Sequence, residues 1–331
     1  MKKSLKMLVV LMAILCTATS ALAEFDDMED MDYWYEQVCI LSDEIGVRSV
    51  GTEGELLAQE FVRAEFERLG FSAENGTLNE YPVSNTQAEN LEAILPAEAD
   101  ADILIVCAHY DAATPDRPEY EDEVVMGTRD NASGVAAMLA MAREFTAMPA
   151  VPAEIRFVAF TSEETGHQGS LEYAALLTDE VRERIIGVFN LDTITVDAWA
   201  LDHVFSVDTL GMRTEDGYVR GTEEQPAYNK VARALIAAME ELAYFDPEEN
   251  GVTHCVPRTL DASDHESFHL AGIDAANIAF RGNVEQGGDW HEYLHTGNDT
   301  LGELDYERTY QALSIVYTAL EHLALDPSYG D

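Results

Sequence analysis

An α/β fold with a mostly parallel, mixed central sheet and helices on both faces is predicted by three features of the sequence. The segments "DILIVCAH", "EIRFVAF" and "IIGVFNLD" are short, nearly continuous apolar runs rich in Val, Ile and Phe, the composition of strands buried on both sides. Helical patterns separate and follow these runs, and strands that alternate with helices pair in parallel. A chain of 331 residues with 47% apolar composition has enough apolar material to fill the core that such a sheet needs. A fourth run, "AANIAF", is weaker but of the same kind.

From the N-terminus, residues 1–23, "MKKSLKMLVVLMAILCTATSALA", join three lysines, an apolar run and a small-residue ending. This is the pattern of a secretory signal peptide cleaved near Ala23, so the mature protein is expected to be secreted or periplasmic. No later segment reaches the roughly 20 apolar residues that a membrane span requires. Residues 24–32 form an acidic leader, read as a solvated tail or a short propeptide. Residues 32–45 read as a helix. A second helix follows "GVRSVGTEGE", with Leu57, Ala58, Phe61, Val62, Phe66 and Leu69 at helical spacing and Gly70 as its stop. The Ala-rich "DNASGVAAMLAMAREF" is a helix with Asn131 or Ser133 as its cap, and "GSLEYAALLTDEVRERI" is another, with Ser170 as cap. Residues 193–225 are less periodic and read as strands or loops inserted before the helix "AYNKVARALIAAMEELAYF". "DYERTYQALSIVYTALEHLAL" makes a last helix. With no internal repeat, low-complexity tract or Pro/Ser linker, residues 24–331 read as one domain.

Charge narrows the partners. There are 63 acidic residues against 19 basic ones, a formal net charge of −44, and Lys230 is the only lysine beyond the signal segment. Phosphate backbones and anionic membranes bind through basic patches, so no nucleic-acid partner is expected. Three cysteines follow residue 23, Cys39, Cys107 and Cys255, an odd number that argues against a disulfide framework. The oligomeric state is not legible.

In an open parallel sheet, ligands bind beyond the carboxyl ends of the strands. The first apolar run ends in His109 and Asp111, the second in Glu163 and Glu164, the third in Asp192. Asp130 precedes the Ala-rich helix and His295 opens "HTGNDT". Each alone has an ordinary explanation: a single His is commonly structural, and an Asp before a helix is commonly a cap. Together they bring metal-type donors to one edge. Imidazole and carboxylate donors without thiolate suit Zn²⁺, with Mn²⁺ or Co²⁺ as substitutes.

The motifs "GVRSVGTEGE", "AHYDA", "DNASGVAAMLAMAR", "FVAFTSEETGHQGS", "FNLDT", "SDHESF" and "HTGNDT", in that order, resemble the M28 zinc peptidases, which include secreted bacterial aminopeptidases. The resemblance covers nearly the whole mature chain. It implies a zinc-exopeptidase fold of the phosphorylase/hydrolase-like kind and two Zn²⁺ ions. By the same resemblance His109 and Asp192 bind one ion, Glu164 and His295 bind the other, Asp130 bridges them, and Glu163 is the general base. Successive residues leaving a strand point in different directions, so of the adjacent glutamates one can hold metal while the other handles protons. The implied reaction is removal of N-terminal residues from peptides with a free N-terminus, through a water shared by the metals. An M28-type carboxypeptidase or a glutaminyl cyclase on the same fold is the alternative.

Around this set, Asp111 is expected to accept from the His109 ring N–H that faces away from metal. Asp264 and His265 read as supporting or substrate-facing residues, and His269 as structural. His167, His203, His254, His291 and His322 receive no role. The resemblance also implies a cis peptide at Asp130–Asn131. The loop of residues 112–129 is longer and more acidic than a compact member of the family needs and is expected to cover or narrow the site. Arg129 is expected to pair with a carboxylate or to contact substrate.

Overall fold

The computed structural model describes residues 29–331 apart from 115–122, 202, 215–216, 223–224, 226, 251–262, 283–293 and 303. Residues 1–23, read above as a signal peptide, most of the acidic leader, the middle of the 112–129 loop, Cys255, His254 and His291 lie outside the described residues.

Nine strands are described: β1 (Leu78–Pro82), β2 (Glu89–Leu95), β3 (Ile103–His109), β4 (Glu154–Phe160), β5 (Ile185–Leu191), β6 (His203–Asp208), β7 (Gly211–Thr214), β8 (Gly217–Arg220) and β9 (Ala275–Gly282). Seven form one sheet in the order β1-β2-β4-β3-β5-β9-β6, and β7 and β8 make a separate hairpin. The central block β4-β3-β5-β9 is parallel, while β2 pairs antiparallel with β4, β1 with β2 and β6 with β9. The four apolar runs of the sequence are the four parallel strands.

The helices are α1 (Glu29–Cys39), α2 (Glu53–Arg68), α3 (Gly134–Ala147), α4 (Gln168–Leu176), α5 (Asp179–Arg184), α6 (Lys230–Leu242), α7 (Pro247–Asn250), α8 (His265–Leu270) and α9 (Tyr306–Leu325). The period-2 alternation of β3 divides the core. Leu104, Val106 and Ala108 pack with side chains of α1, α2, α3, α6 and α9. Ile103, Ile105 and Cys107 pack on the other side with Tyr173 of α4 and Phe268 of α8. Cys107 is thus the small buried hydrophobe that its setting suggests, and Cys39 and Cys107 are both free thiols. No described helix is long and apolar enough to cross a membrane.

Several local expectations are corrected. The strands β1 and β2 have no strong sequence signal, because "LNEYP" and "ENLEAIL" carry acidic and amide residues. Glu92 of β2 is nonetheless buried, accepting from the hydroxyls of Tyr81 and Tyr173 and paired with Arg156 at 3.1 Å. Leu57 does not join the buried face of α2; it is 45% exposed. The segment 168–184 is two helices rather than one, and Thr178 caps the second by accepting from Val181 N. Ser170 is no cap: it lies within α4 and its hydroxyl bonds to His167 O and Ser267. Of the two caps considered for α3, Asn131 takes the role, its Oδ1 accepting from Gly134 N at 3.0 Å, while the Ser133 hydroxyl donates to Arg129 O.

Candidate metal centre

Because β4, β3 and β5 are adjacent and parallel, their carboxyl ends open on one edge. His109 ends β3, Glu163 and Glu164 follow β4, and Asp192 follows β5. Asp130 enters from the kinked turn Thr128–Ser133 ahead of α3. His295 reaches the same point from the segment before α9, in a left-handed backbone conformation with φ of 59°.

The distances make Asp130 the centre. Its Oδ1 lies 3.2 Å from His109 Nε2 and its Oδ2 lies 3.2 Å from His295 Nε2. Asp192 Oδ2 is 3.6 Å from His109 Nε2, and Glu164 Oε2 is 3.1 Å from His295 Nε2. Among the described residues, three groups bring one donor atom from each residue within 4.8 Å of the others: His109 with Asp130 and Asp192, Asp130 with Glu164 and His295, and His109 with Glu163 and Glu164.

Neighbours hold these donors in place. Asp111 was expected to accept from the His109 ring N–H that faces away from metal, and His109 Nδ1 lies 3.2 Å from the Asp111 carbonyl oxygen and 3.5 Å from its carboxylate. The Asp111 carboxylate also accepts from the backbone N–H groups of Glu163 and Glu164, both at 3.2 Å. Ser263 Oγ donates to Asp192 Oδ2 at 2.6 Å, and Asn277 Nδ2 to the Asp192 carbonyl at 2.7 Å. Asp299 accepts from Arg129 N at 2.8 Å and from Asp130 N at 3.2 Å. Arg129 pairs with carboxylates, Asp299 at 2.9 Å and Asp197 at 2.5 Å. The peptide joining Asp130 to Asn131 is cis, and so is that joining Asp192 to Thr193.

Charge in this cluster is out of balance with its burial. Burial and the Asp130 charge push the Glu164 carboxyl up to about 8. Against burial, Asp130 and Glu164 hold the His295 imidazole up at about 12. The carboxylates therefore draw positive charge from whatever is near. His109 Nε2 and Glu164 Oε1 are buried with no hydrogen-bond partner of sound geometry, as befits atoms whose lone pairs serve a cation. The donor set, imidazole nitrogen and carboxylate oxygen, fits a divalent ion such as zinc.

The family follows from comparison with known proteins. The sequence pattern described as peptidase family M28 matches residues 90–320. The chain belongs to this family. Among curated M28-like relatives, the aminopeptidase YwaD of Bacillus subtilis (strain 168) is 32% identical over 220 residues, 66% of this chain and 40% of the relative. The chain spans half or less of the length of the curated relatives it matches. The solved structure of BSAP, a zinc aminopeptidase from Bacillus subtilis, has a TM-score of 0.68 at 20% identity and covers 88% of this chain and 94% of its own. A glutaminyl cyclase from Bacteroides thetaiotaomicron, bound to N-acetylhistamine, has a TM-score of 0.67 at 16% identity, covering 90% and 98%. The fold is thus shared by proteins named for either activity.

The six residues expected at the centre, His109, Asp130, Glu163, Glu164, Asp192 and His295, lie together, and Asp111 bonds to the backbone of two of them. Asp264 and His265 are fully buried on the α8 side, with no hydrogen-bond partner of sound geometry for either Asp264 carboxylate oxygen or either His265 ring nitrogen. Burial and the Glu163 charge push Asp264 up to about 7, while burial and Arg281 push His265 down to about 3. His269 stacks edge-on against Tyr218, a structural contact. From the 112–129 loop, Glu123 reaches the His295 segment, its Oε2 accepting from Gly297 N at 2.5 Å. Two residues escaped sequence reasoning. Asp299 lies in "HTGNDT", four residues after His295, and the pattern alone gives it no role. His167, given no role by the sequence, has its Nε2 3.3 Å from Glu163 Oε1.

Proposed function

We propose that this M28 protein is an exported aminopeptidase holding two zinc ions, one at His109 and Asp192, the other at Glu164 and His295, with Asp130 shared. The observation that carries the reading is the pair of 3.2 Å approaches by which the two oxygens of Asp130 face two different histidines. The third donor group would spend Glu163 as a ligand, whereas Glu163 Oε1 is already engaged by His167. Glu163 is therefore read as the general base. Residues 24–331 act as one catalytic unit, released outside the cytoplasm after cleavage near Ala23.

Two divalent ions, when bound, supply Lewis acidity that polarises a scissile carbonyl and makes water a stronger acid. The residues of the chain do the rest. Glu163, buried at the end of β4, takes the proton of the attacking water and delivers it to the leaving amine. Asp111 fixes the backbone of both glutamates, so the proton carrier and its metal-holding neighbour keep separate directions. The acidic edge is complementary to a free, protonated N-terminus and unsuited to a free C-terminal carboxylate, which favours aminopeptidase over carboxypeptidase action. A full set of donors suits water activation better than the internal acyl transfer of a cyclase.

The test is hydrolysis of a panel of aminoacyl chromogenic amides and their N-acetylated counterparts by metal-stripped protein reloaded with zinc. Zinc-dependent cleavage of the free-amine members alone is expected. Cleavage of blocked substrates, or cyclisation of N-terminal glutamine without amide hydrolysis, would overturn the reading.

A further inference from the structure

We propose that His167 is a positioning residue for Glu163: its Nε2 holds the Oε1 atom, which leaves Oε2 as the oxygen that exchanges protons at the metal centre. The inference rests on the reading of Glu163 as the general base.

Three features of the fold carry it. First, the two oxygens of Glu163 point to different partners: Oε1 lies 3.3 Å from His167 Nε2, while Oε2 lies 4.0 Å from His109 Nε2, on the side of the donor cluster. Second, the pairing is built into the backbone. The Glu163 carbonyl accepts from Gly166 N at 2.9 Å and from His167 N at 2.8 Å, a tight turn that brings residue 167 back onto residue 163. His167 closes that turn with φ of 56° and ψ of 30°, a left-handed conformation that side-chain-bearing residues adopt rarely. Third, the far side of the ring faces an acid: Glu266 Oε2 of α8 lies 3.8 Å from His167 Nδ1. The imidazole is thus flanked by two carboxylates, one from the turn after β4 and one from α8.

A carboxylate held by one oxygen has lost a rotational freedom that it would otherwise spend at each turnover. Proton transfer depends on the geometry of the base, so fixing Oε1 aims Oε2. Glu266 adds a second negative charge on the far side of the ring.

The test uses the full chain loaded with zinc and an aminoacyl anilide with a free amine. His167→Ala is expected to lower kcat by about tenfold or more, up to the ~10²–10⁴-fold that general-base catalysis supplies in full, with KM and bound zinc unchanged. His167→Gln, whose amide nitrogen reaches the Nε2 position, is expected to restore most of the rate. An unchanged kcat, a loss confined to KM, a loss of zinc, or a Gln variant no better than Ala would each overturn the assignment. Crystal structures of the zinc-loaded parent and His167→Ala decide the matter independently of turnover. The Glu163 carboxylate is expected to rotate or split into two conformers in the variant, and an identical orientation in both overturns the proposal. A parent that hydrolyses no free-amine substrate would sink the aminopeptidase reading, and the carboxylate orientation would still decide the role of His167.

Discussion

Replacing Asp299 with asparagine tests whether one buried carboxylate holds two parts of the site together. Its Oδ1 accepts from Arg129 N at 2.8 Å and from Arg129 Nη1 at 2.9 Å, and its Oδ2 accepts from Asp130 N at 3.2 Å. Asparagine keeps one acceptor oxygen and sets an NH₂ group where the other stood, so either the Asp130 N–H or the Arg129 pair meets a donor. Hydrogen bonds to charged groups contribute about 1.5–3 kcal/mol each, and breaking a buried ion pair by removing one partner costs about 3–5 kcal/mol. Arg129 retains Asp197 at 2.5 Å, which softens the loss of charge. The expected destabilisation is therefore about 2–4 kcal/mol, the lower part of the combined range. Urea unfolding of metal-free parent and variant, extrapolated linearly, measures it. Zinc retention in equilibrium dialysis is a second readout, because Asp299 supports Asp130 directly and sits four residues after His295. A loss below about 1 kcal/mol together with unchanged zinc retention would refute the reasoning.

Glu163→Gln should lower kcat by about 10²–10⁴-fold while zinc content, read by atomic spectroscopy, stays at the parent level; a coincident loss of zinc would make Glu163 a ligand instead. His295→Ala should reduce bound zinc to half that of the parent, and complete retention would remove His295 from the donor set. Glu321 on α9 has a buried oxygen without a partner, and burial with the Glu241 charge pushes its carboxyl from 4.5 up to about 7. The folded state then binds this proton more tightly than the unfolded chain, so the contribution is fully present below 4.5 and lost as pH rises through about 7. Glu321→Gln should accordingly raise the melting temperature over the parent at pH 8 and leave it nearly unchanged at pH 4; equal differences at both would contradict this. A methyl group added at Gly134 would meet Leu191 O at 2.1 Å and Asn131 Oδ1 at 2.4 Å. Gly134→Ala should thus cost about 1–3 kcal/mol in urea unfolding, and a neutral outcome would show that this helix start has room to shift.

The parallel core was legible because strands buried on both faces need uninterrupted apolar runs, and β3, β4, β5 and β9 have them. The edge strands β1 and β2 were not, because a strand whose buried Glu92 is satisfied by Tyr81, Tyr173 and Arg156 looks polar until those distant partners are in place. Thr178 splits the helix after Glu164 at a point where local periodicity alone continues. Leu57 fell on an apolar pattern and faces solvent, since helical spacing tells which residues share a side but not what covers it.

Sequence by itself determined which donors stand at the carboxyl ends of the strands, their order, and membership of an M28-type pattern. Those are properties of residue identity and spacing, carried wherever the chain goes. Tertiary structure alone decided that both oxygens of Asp130 face histidines, that Asp111 holds the backbone of Glu163 and Glu164 besides the His109 ring, that Asp299 and Arg129 form a buried brace, and that His167 meets Glu163. Each of these depends on the direction of a side chain set by neighbours from other strands and loops, and a linear pattern carries no record of direction.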